Sequence, residues 1–280
     1  VNVNPNIRVS VIIPCYNYGS FLAECLDSIK SQSYKQWECV IVDNASTDNT
    51  KEVALKYVDS DDRIKYIYTD VKGVSHARNL GIKNTTGEYI LPVDADDKIS
   101  PYLIEKALAV HQQTKDIALV YSDAELFGNS SGKWVLPEYS LKNLLIENSI
   151  FCTAMFKRSD FNTTQGYNEN MKEGFEDWDF WIELLKSGGK VVKIPEVLFY
   201  YRIRKNSRNS VLDDGKQLRL REIIYNNHKA VYDANFSIPK LVYENYGLST
   251  QLNSIKQSKD YFFGKKLMKP FRFIKSLFVK

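Results

Sequence analysis

Over its first 125 residues the chain alternates short apolar runs with amphipathic segments, and few folds accommodate that rhythm. Residues 9–13, 38–42, 64–68, 89–93 and 117–121 are five-residue runs rich in Val, Ile and Tyr, as in buried strands. Between them, residues 21–32, 48–58, 74–83 and 102–113 have helical spacing. In the first of these, Phe21, Leu22, Cys25, Leu26 and Ile29 share one face. Alternating strands and helices imply a mostly parallel sheet with helices on both faces. Right-handed crossovers then gather the strand C-termini on one edge, where ligands bind.

The fourth run is the most pointed. It reads YILPVDADD, an apolar strand ending abruptly in Asp94, Asp96 and Asp97. Buried carboxylates are costly unless paired or bound to a metal, so these belong where the strand meets solvent. Ser100-Pro101 then opens the next helix. On the motif alone, an Asp-rich turn and a metal site are equally consistent readings.

After Asp123 the rhythm loosens. Residues 127–132 form a turn-rich connection, 141–147 a short helix, 152–157 a strand and 175–186 an aromatic-rich helix. Residues 191–194 and 197–201 read as two more strands, and the chain turns helical from about 217. The expected organisation is a ligand-binding half over 1–125, a second half of the same domain over 126–212, and a helical extension over 213–280. Cys15, Cys25, Cys39 and Cys152 show no CxxC spacing and no neighbouring His, which favours free thiols in a reducing cytoplasm over disulfides or zinc. No apolar run reaches about 18 residues, as a transmembrane helix would need. The first six residues do not read as a secretory signal.

Four motifs, SVIIPCYN at 10–17, VDNASTDNT at 42–50, ARNLGIKNTTGEYILPVDADD at 77–97 and EDWDFW at 176–181, together resemble the family 2 glycosyltransferases. They occur in that family's order and at its spacing, and the resemblance covers roughly residues 8–210. It implies a GT-A, Rossmann-like fold with an acceptor-side subdomain. It also implies inverting, hexosyl- or N-acetylhexosaminyl-type transfer from a nucleotide diphosphate sugar, usually UDP-linked, to an acceptor hydroxyl.

By that resemblance Asp94 and Asp96 form the DxD element, with Asp96 the principal ligand of Mn²⁺ or Mg²⁺ and Asp94 nearer the ribose. A hard cation on oxygen ligands suits the charge that builds on a departing diphosphate. Asp97 is free to join either neighbour or to cap the turn. Asp43 matches the uracil-contacting acid, since a carboxylate accepts the imide hydrogen; its other reading is a turn cap. Arg78 matches an arginine beside the uracil, where it would donate to the base or hold Asp43. Pro14 and Tyr16 would line the base pocket.

Asp177 is the candidate general base. The helix dipole would lower its basicity, and burial beside Trp178 and Trp181 would raise it. Glu176 and Trp178 are the acceptor-side candidates, Trp178 being equally readable as core. Where many relatives carry a His two residues after a Tyr-Arg pair, this chain has Arg204, whose fork suits phosphate oxygens but cannot ligate a metal while protonated.

Residues 256–280 hold eight basic residues against Asp260, a net of +7, so the preceding 255 carry −3 of the chain's +4. Cations interleaved with Phe and Leu suit the headgroup region of an anionic membrane. No nucleic-acid module accompanies them. The expected partners are therefore a UDP-sugar, a glycan or lipid-linked glycan acceptor, and a membrane surface at the cytoplasmic face. The expected setting is surface polysaccharide assembly. Two other readings are a nucleotide-sugar-binding scaffold and a nucleotidyltransferase, though the latter needs a Gly-rich basic loop after the first strand that Pro14-Cys-Tyr-Asn17 does not provide.

Overall fold

The computed structural model describes residues 3–204 and 213–263. Its contacts divide the chain into two units, Val1–Lys229 and Ala230–Lys280, each considered by itself.

In the first unit β1 (Val9–Cys15), β2 (Trp37–Asn44), β3 (Ile64–Thr69) and β4 (Tyr89–Pro92) alternate with α1 (Gly19–Lys30), α2 (Thr50–Ser60) and α3 (Val74–Lys83). A two-residue β5 (Lys98–Ile99) precedes α4 (Leu103–Gln113), and β6 (Ile117–Gly128) and β7 (Gly132–Trp134) follow. Next come α5 (Leu141–Ile146), β8 (Met155–Lys157), the single turn α6 (Arg158–Phe161), α7 (Glu176–Leu185), β9 (Lys190–Ile203) and α8 (Asp214–Asn227). The sheet order is β3-β2-β1-β4-β8-β6-β9-β5, with β7 beside β6. Its long pairings (β1 with β2 and β4, β2 with β3, β6 with β9) are parallel, and the short ones through β8, β5 and β7 are antiparallel. This is the mostly parallel, helix-flanked α/β sheet expected from the alternation.

The β1 and β2 strands are buried along their whole length, which is why their sequences are continuously apolar rather than alternating. Between β1 and β4 the strand order changes direction, since β2 follows on one side and β4 on the other. That switch point opens a crevice at the strand C-termini, beside Pro14 and the DADD turn.

Two elements differ from the sequence expectation. The strands expected at 191–194 and 197–201 are one strand, β9, whose pairing with β6 skips Pro195 and Glu196. Proline has no amide hydrogen to give the ladder, so the chain bulges there and resumes. Likewise β6 continues to Gly128, well past Tyr121, because β9 pairs with it along that length.

Gly87 is sterically fixed. A Cβ on Gly87 would lie 2.6 Å from Ser10 Oγ and 2.7 Å from Arg8 O. Gly87→Ala is expected to cost about 1–3 kcal/mol, the range for overpacking a filled site, read as a lower urea midpoint with unchanged slope.

The division between units falls at Lys229/Ala230 rather than at 212/213. The reason is α8, which buries Leu220 and Ile224 and docks on α7: Asn227 Nδ2 donates to Asp179 Oδ1 (2.7 Å), and His228 Nε2 lies 3.0 Å from the same oxygen. The second unit comprises most of α9 (Lys229–Asn235) and α10 (Ile238–Gln257), which exposes Leu241, Val242 and Leu248. Among the described residues no helix is long and apolar enough to cross a membrane. The basic tail beyond Phe263 and the Lys205–Ser207 segment lie outside the described residues.

Candidate active site

The loops leaving β1 and β2 interlock before any functional group is placed. Asn17 (φ 57°) and Ala45 (φ 60°) both take left-handed backbone. Asn17 N donates to Ser46 Oγ (2.9 Å), and Thr47 N donates to Asn17 Oδ1 (2.7 Å). Asn44 Oδ1 accepts from Gly73 N (2.6 Å), drawing the start of α3 against the same edge. Together these loops form one wall of a cavity of about 520 Å³, lined there by Pro14, Tyr16, Asn44 and Gly73.

The floor is the carboxylate cluster. Asp94 Oδ1 accepts from Arg78 Nη2 (2.7 Å), and Arg78 Nη1 donates to Glu176 Oε1 (2.9 Å). Arg78 is 1% exposed. Burial alone would favour its neutral form, and the two carboxylates more than offset that, holding it cationic. The expectation that Arg78 holds Asp43 is corrected: α3 carries Arg78 under the DADD turn, where a sealed guanidinium takes the two acids of the floor. Asp43 instead holds its own turn, accepting from Ser46 N (2.9 Å) and from Tyr66 Oη (2.7 Å).

Burial pushes the Asp96 carboxyl up to about 6, with Asp94 adding to the rise and Arg204 opposing it. Arg204 Nε lies 2.9 Å from Asp96 Oδ2, and Arg204 Nη2 donates to Tyr18 Oη (2.8 Å). Asp97 is 1% exposed, and burial, then Asp96 and Asp94, hold its carboxyl well above the usual range. Its Oδ1 accepts from Arg202 N (2.8 Å), while Oδ2 is buried with no hydrogen-bond partner among the described residues. Ligand atoms of Asp94, Asp97 and Cys152 lie within 4.8 Å of one another. Burial keeps the Cys152 thiol protonated, so the oxygens are the usable donors. An oxygen set with one orphaned buried carboxylate atom fits a hard divalent cation.

Joined to the floor through Arg78 stands the start of α7. Gly174 (φ 135°) and then Phe175 (φ 60°), a bulky residue in left-handed backbone, turn the chain so that Glu176 and Asp177 begin the helix at the cavity. Asp177 Oδ1 accepts from Trp178 N (2.8 Å), and Oδ2 accepts from Asn148 Nδ2 (3.1 Å). Burial, then the adjacent Glu176, push its carboxyl up to about 7, with Arg78 opposing. In the contest between helix dipole and burial, burial dominates.

Trp178 does not face the cavity, which corrects its acceptor-side reading. Its indole is 2% exposed, Nε1 donates to Leu144 O (2.5 Å), and Arg221 packs over the ring. On a helix the neighbour of a cavity-facing residue points about 100° away, and here that direction is the core. Trp134, on the β7 hairpin, lines the cavity instead, its ring 4.6 Å from Phe151 and 4.4 Å from Tyr201. Sequence reasoning missed Trp134, Asn148 and Tyr18. Trp134 had the one usable signal, a large aromatic beside a turn glycine in a hairpin.

Known proteins resemble this chain in the same region. The profile of Glycosyl transferase family 2 matches residues 10–173. A Bacillus subtilis (strain 168) protein described as a glycosyltransferase, EpsE, is 32% identical over 73% of this chain and 76% of its own length. The hyaluronan synthase of Pasteurella multocida is 28% identical over 94% of this chain, which spans only 26% of that enzyme. Among solved structures, S. aureus TarS 1-349 in complex with UDP-GlcNAc superposes with a TM-score of 0.67 at 21% identity, covering 79% of this chain and 66% of that one. The mannosyltransferase PcManGT from Pyrobaculum calidifontis, in complex with GDP-Man and Mn²⁺, gives 0.55 at 20%, covering 95% and 86%. At these identities the likeness is one of fold.

Proposed function

The chain belongs to glycosyl transferase family 2, and from that premise we propose that it moves a sugar, with inversion, from a UDP-sugar to a glycan hydroxyl in surface polysaccharide assembly. One observation carries the reading. Asp94, Asp96 and Asp177 line one cavity, and Arg78 ties Asp94 to the residue beside Asp177.

The uracil would lie along Pro14 and Tyr16, beside the turn that Asp43 holds from behind the cavity wall. Asp94 faces the ribose, and Arg204 offers its fork to the diphosphate. Asp96, with Asp94 or Asp97, would hold a Mn²⁺ or Mg²⁺ ion, which when bound supplies positive charge against the leaving diphosphate. The acceptor approaches from the side of Trp134, whose half-exposed ring suits the apolar face of a sugar, with Glu176 beneath it. Asp177 takes the hydroxyl proton as that oxygen bonds to the anomeric carbon. The bond from that carbon to the diphosphate breaks on the opposite face, which inverts the configuration. Asn148 keeps Asp177 aimed and favours its anion.

The test is release of nucleotide from a panel of UDP- and GDP-sugars, with Mn²⁺, Mg²⁺ or chelator, in the presence of polysaccharide acceptors. Turnover with UDP-sugars and its loss in chelator are expected. Tight GDP binding without UDP binding would end the UDP-sugar reading, and UDP binding without turnover would leave a scaffold.

The pH dependence follows from the base. Only the carboxylate form of Asp177 accepts a proton, and its carboxyl is pushed up to about 7. As pH falls below about 7, log kcat/KM is therefore expected to fall toward a slope of one. Asn148→Ala removes a donor to the anion, so the same limb should move to higher pH. A flat profile between pH 5 and 8 would exclude Asp177 as the base.

A further inference from the structure

Three arginines meet the DADD turn, and they are not equally held. Arg78 is sealed under Asp94 and Glu176. Arg202 gives its amide to Asp97 and its guanidinium to both Asp96 O (2.7 Å) and Glu24, leaving its side chain 13% exposed. Arg204 is 27% exposed, and among the described residues its polar partners are Asp96 Oδ2 and the neutral Tyr18 hydroxyl. Among the described residues its Nε makes no hydrogen bond, so the Asp96 contact is an ion pair of poor directionality. Its plane rests on the rings of Tyr18 and Phe21, 4.7 and 5.3 Å from their centroids, a surface along which a flat guanidinium can slide. Arg204 is thus the releasable cation of the three.

We propose that Arg204 is the resident counter-ion of Asp96, that it must leave before this carboxylate can take a divalent cation, and that the diphosphate of the nucleotide draws it away. The inference rests on the reading of the cavity as a nucleotide-sugar site. A guanidinium 2.9 Å from a carboxylate oxygen both occupies that oxygen and repels a second cation. Metal binding to the nucleotide-free protein is therefore weak. A diphosphate offers Arg204 two or more oxygens in place of one, in the planar geometry its fork prefers. Once it has moved, Asp96 is free for the metal. Nucleotide and cation then bind cooperatively, and by linkage each tightens the other by the same factor. Arg204 would set the order of assembly, so that cation and donor arrive as a unit.

The experiment titrates Mn²⁺ into the full chain, following the electron paramagnetic resonance signal of free Mn²⁺, with and without saturating UDP. Wild type is compared with Arg204→Met and Arg204→Lys, and the fold of each variant is checked by its Tm. Arg204→Met is expected to bind Mn²⁺ at least tenfold more tightly than wild type without nucleotide. The factor by which UDP tightens Mn²⁺ should shrink accordingly. Arg204→Lys keeps the charge and should stay near wild type. Unchanged or weaker Mn²⁺ binding by Arg204→Met without UDP would overturn the proposal, as would equal gains in the Met and Lys variants. Calorimetry of UDP with the wild type separates the two levels: no UDP binding defeats the nucleotide-site reading, whereas the nucleotide-free Mn²⁺ comparison judges Arg204 alone.

Discussion

Asp177→Asn is expected to lower kcat by about 10²–10⁴, the range general-base catalysis supplies, with UDP affinity unchanged. The amide has nearly the volume of the carboxylate and keeps one oxygen for the Trp178 amide, while its NH2 meets the Asn148 side chain, which can flip to present its own oxygen, so α7 should stay in place. What is lost is the lone pair that takes the acceptor proton. Asp177 lines the same cavity as the carboxylates assigned to the donor but bonds to different partners, Asn148 and the Trp178 amide, so binding and chemistry should separate. Burst measurements of sugar transfer together with calorimetry of UDP read the two independently. A kcat within fivefold of wild type would remove Asp177 from the mechanism, and a matching loss of UDP affinity would recast it as structural.

The largest stability effect is expected from Arg78→Met. Its guanidinium joins a 30%-exposed Asp94 side chain to an 11%-exposed Glu176 side chain from a position that is itself 1% exposed. Methionine fills much of the stem's volume but leaves Glu176 buried and unpaired beside Asp94 and Asp177. Removing one partner of a buried pair costs about 3–5 kcal/mol, because the surviving charge is poorly hydrated and has lost its counter-ion. For a unit of this size that is a Tm loss of roughly 10 °C. Since Arg78 also opposes the rise of the Asp177 carboxyl, the acid limb of the rate profile should move upward in the same variant. The double variant Arg78→Met/Glu176→Gln should recover part of the loss, because neutralising Glu176 relieves the orphaned charge. Failure of any recovery would show that packing, not charge, holds this position.

The ordering of the site was legible because strand ends are legible. An apolar run stops where its environment becomes wet, so VIIPC, VIVDN and YILPVDADD disclosed both the strands and the edge where their polar ends meet. That Asp177 belongs to the cavity was legible too, from an acidic pair opening an aromatic-rich helix. The pairings inside the site were not. Arg78 lies one residue from Ala77 in sequence but meets Glu176 across 98 positions, and no local pattern encodes that distance. Trp178 and Trp134 make the same point. Both are tryptophans near the site in sequence or space, and only the rotation of α7 and the course of the β7 hairpin decide which ring faces the cavity.

The sequence by itself determined the α/β rhythm, the crevice edge, the carboxylates that occupy it and the family whose motifs they follow. Those depend on short-range physics: apolar periodicity, turn chemistry and the cost of burying charge. Tertiary structure alone decided which cation serves which acid, which indole is core, and how far burial lifts Asp96 and Asp177. Those quantities depend on what elements distant in the chain place within a few ångströms of one another, where desolvation and Coulomb energies vary most steeply.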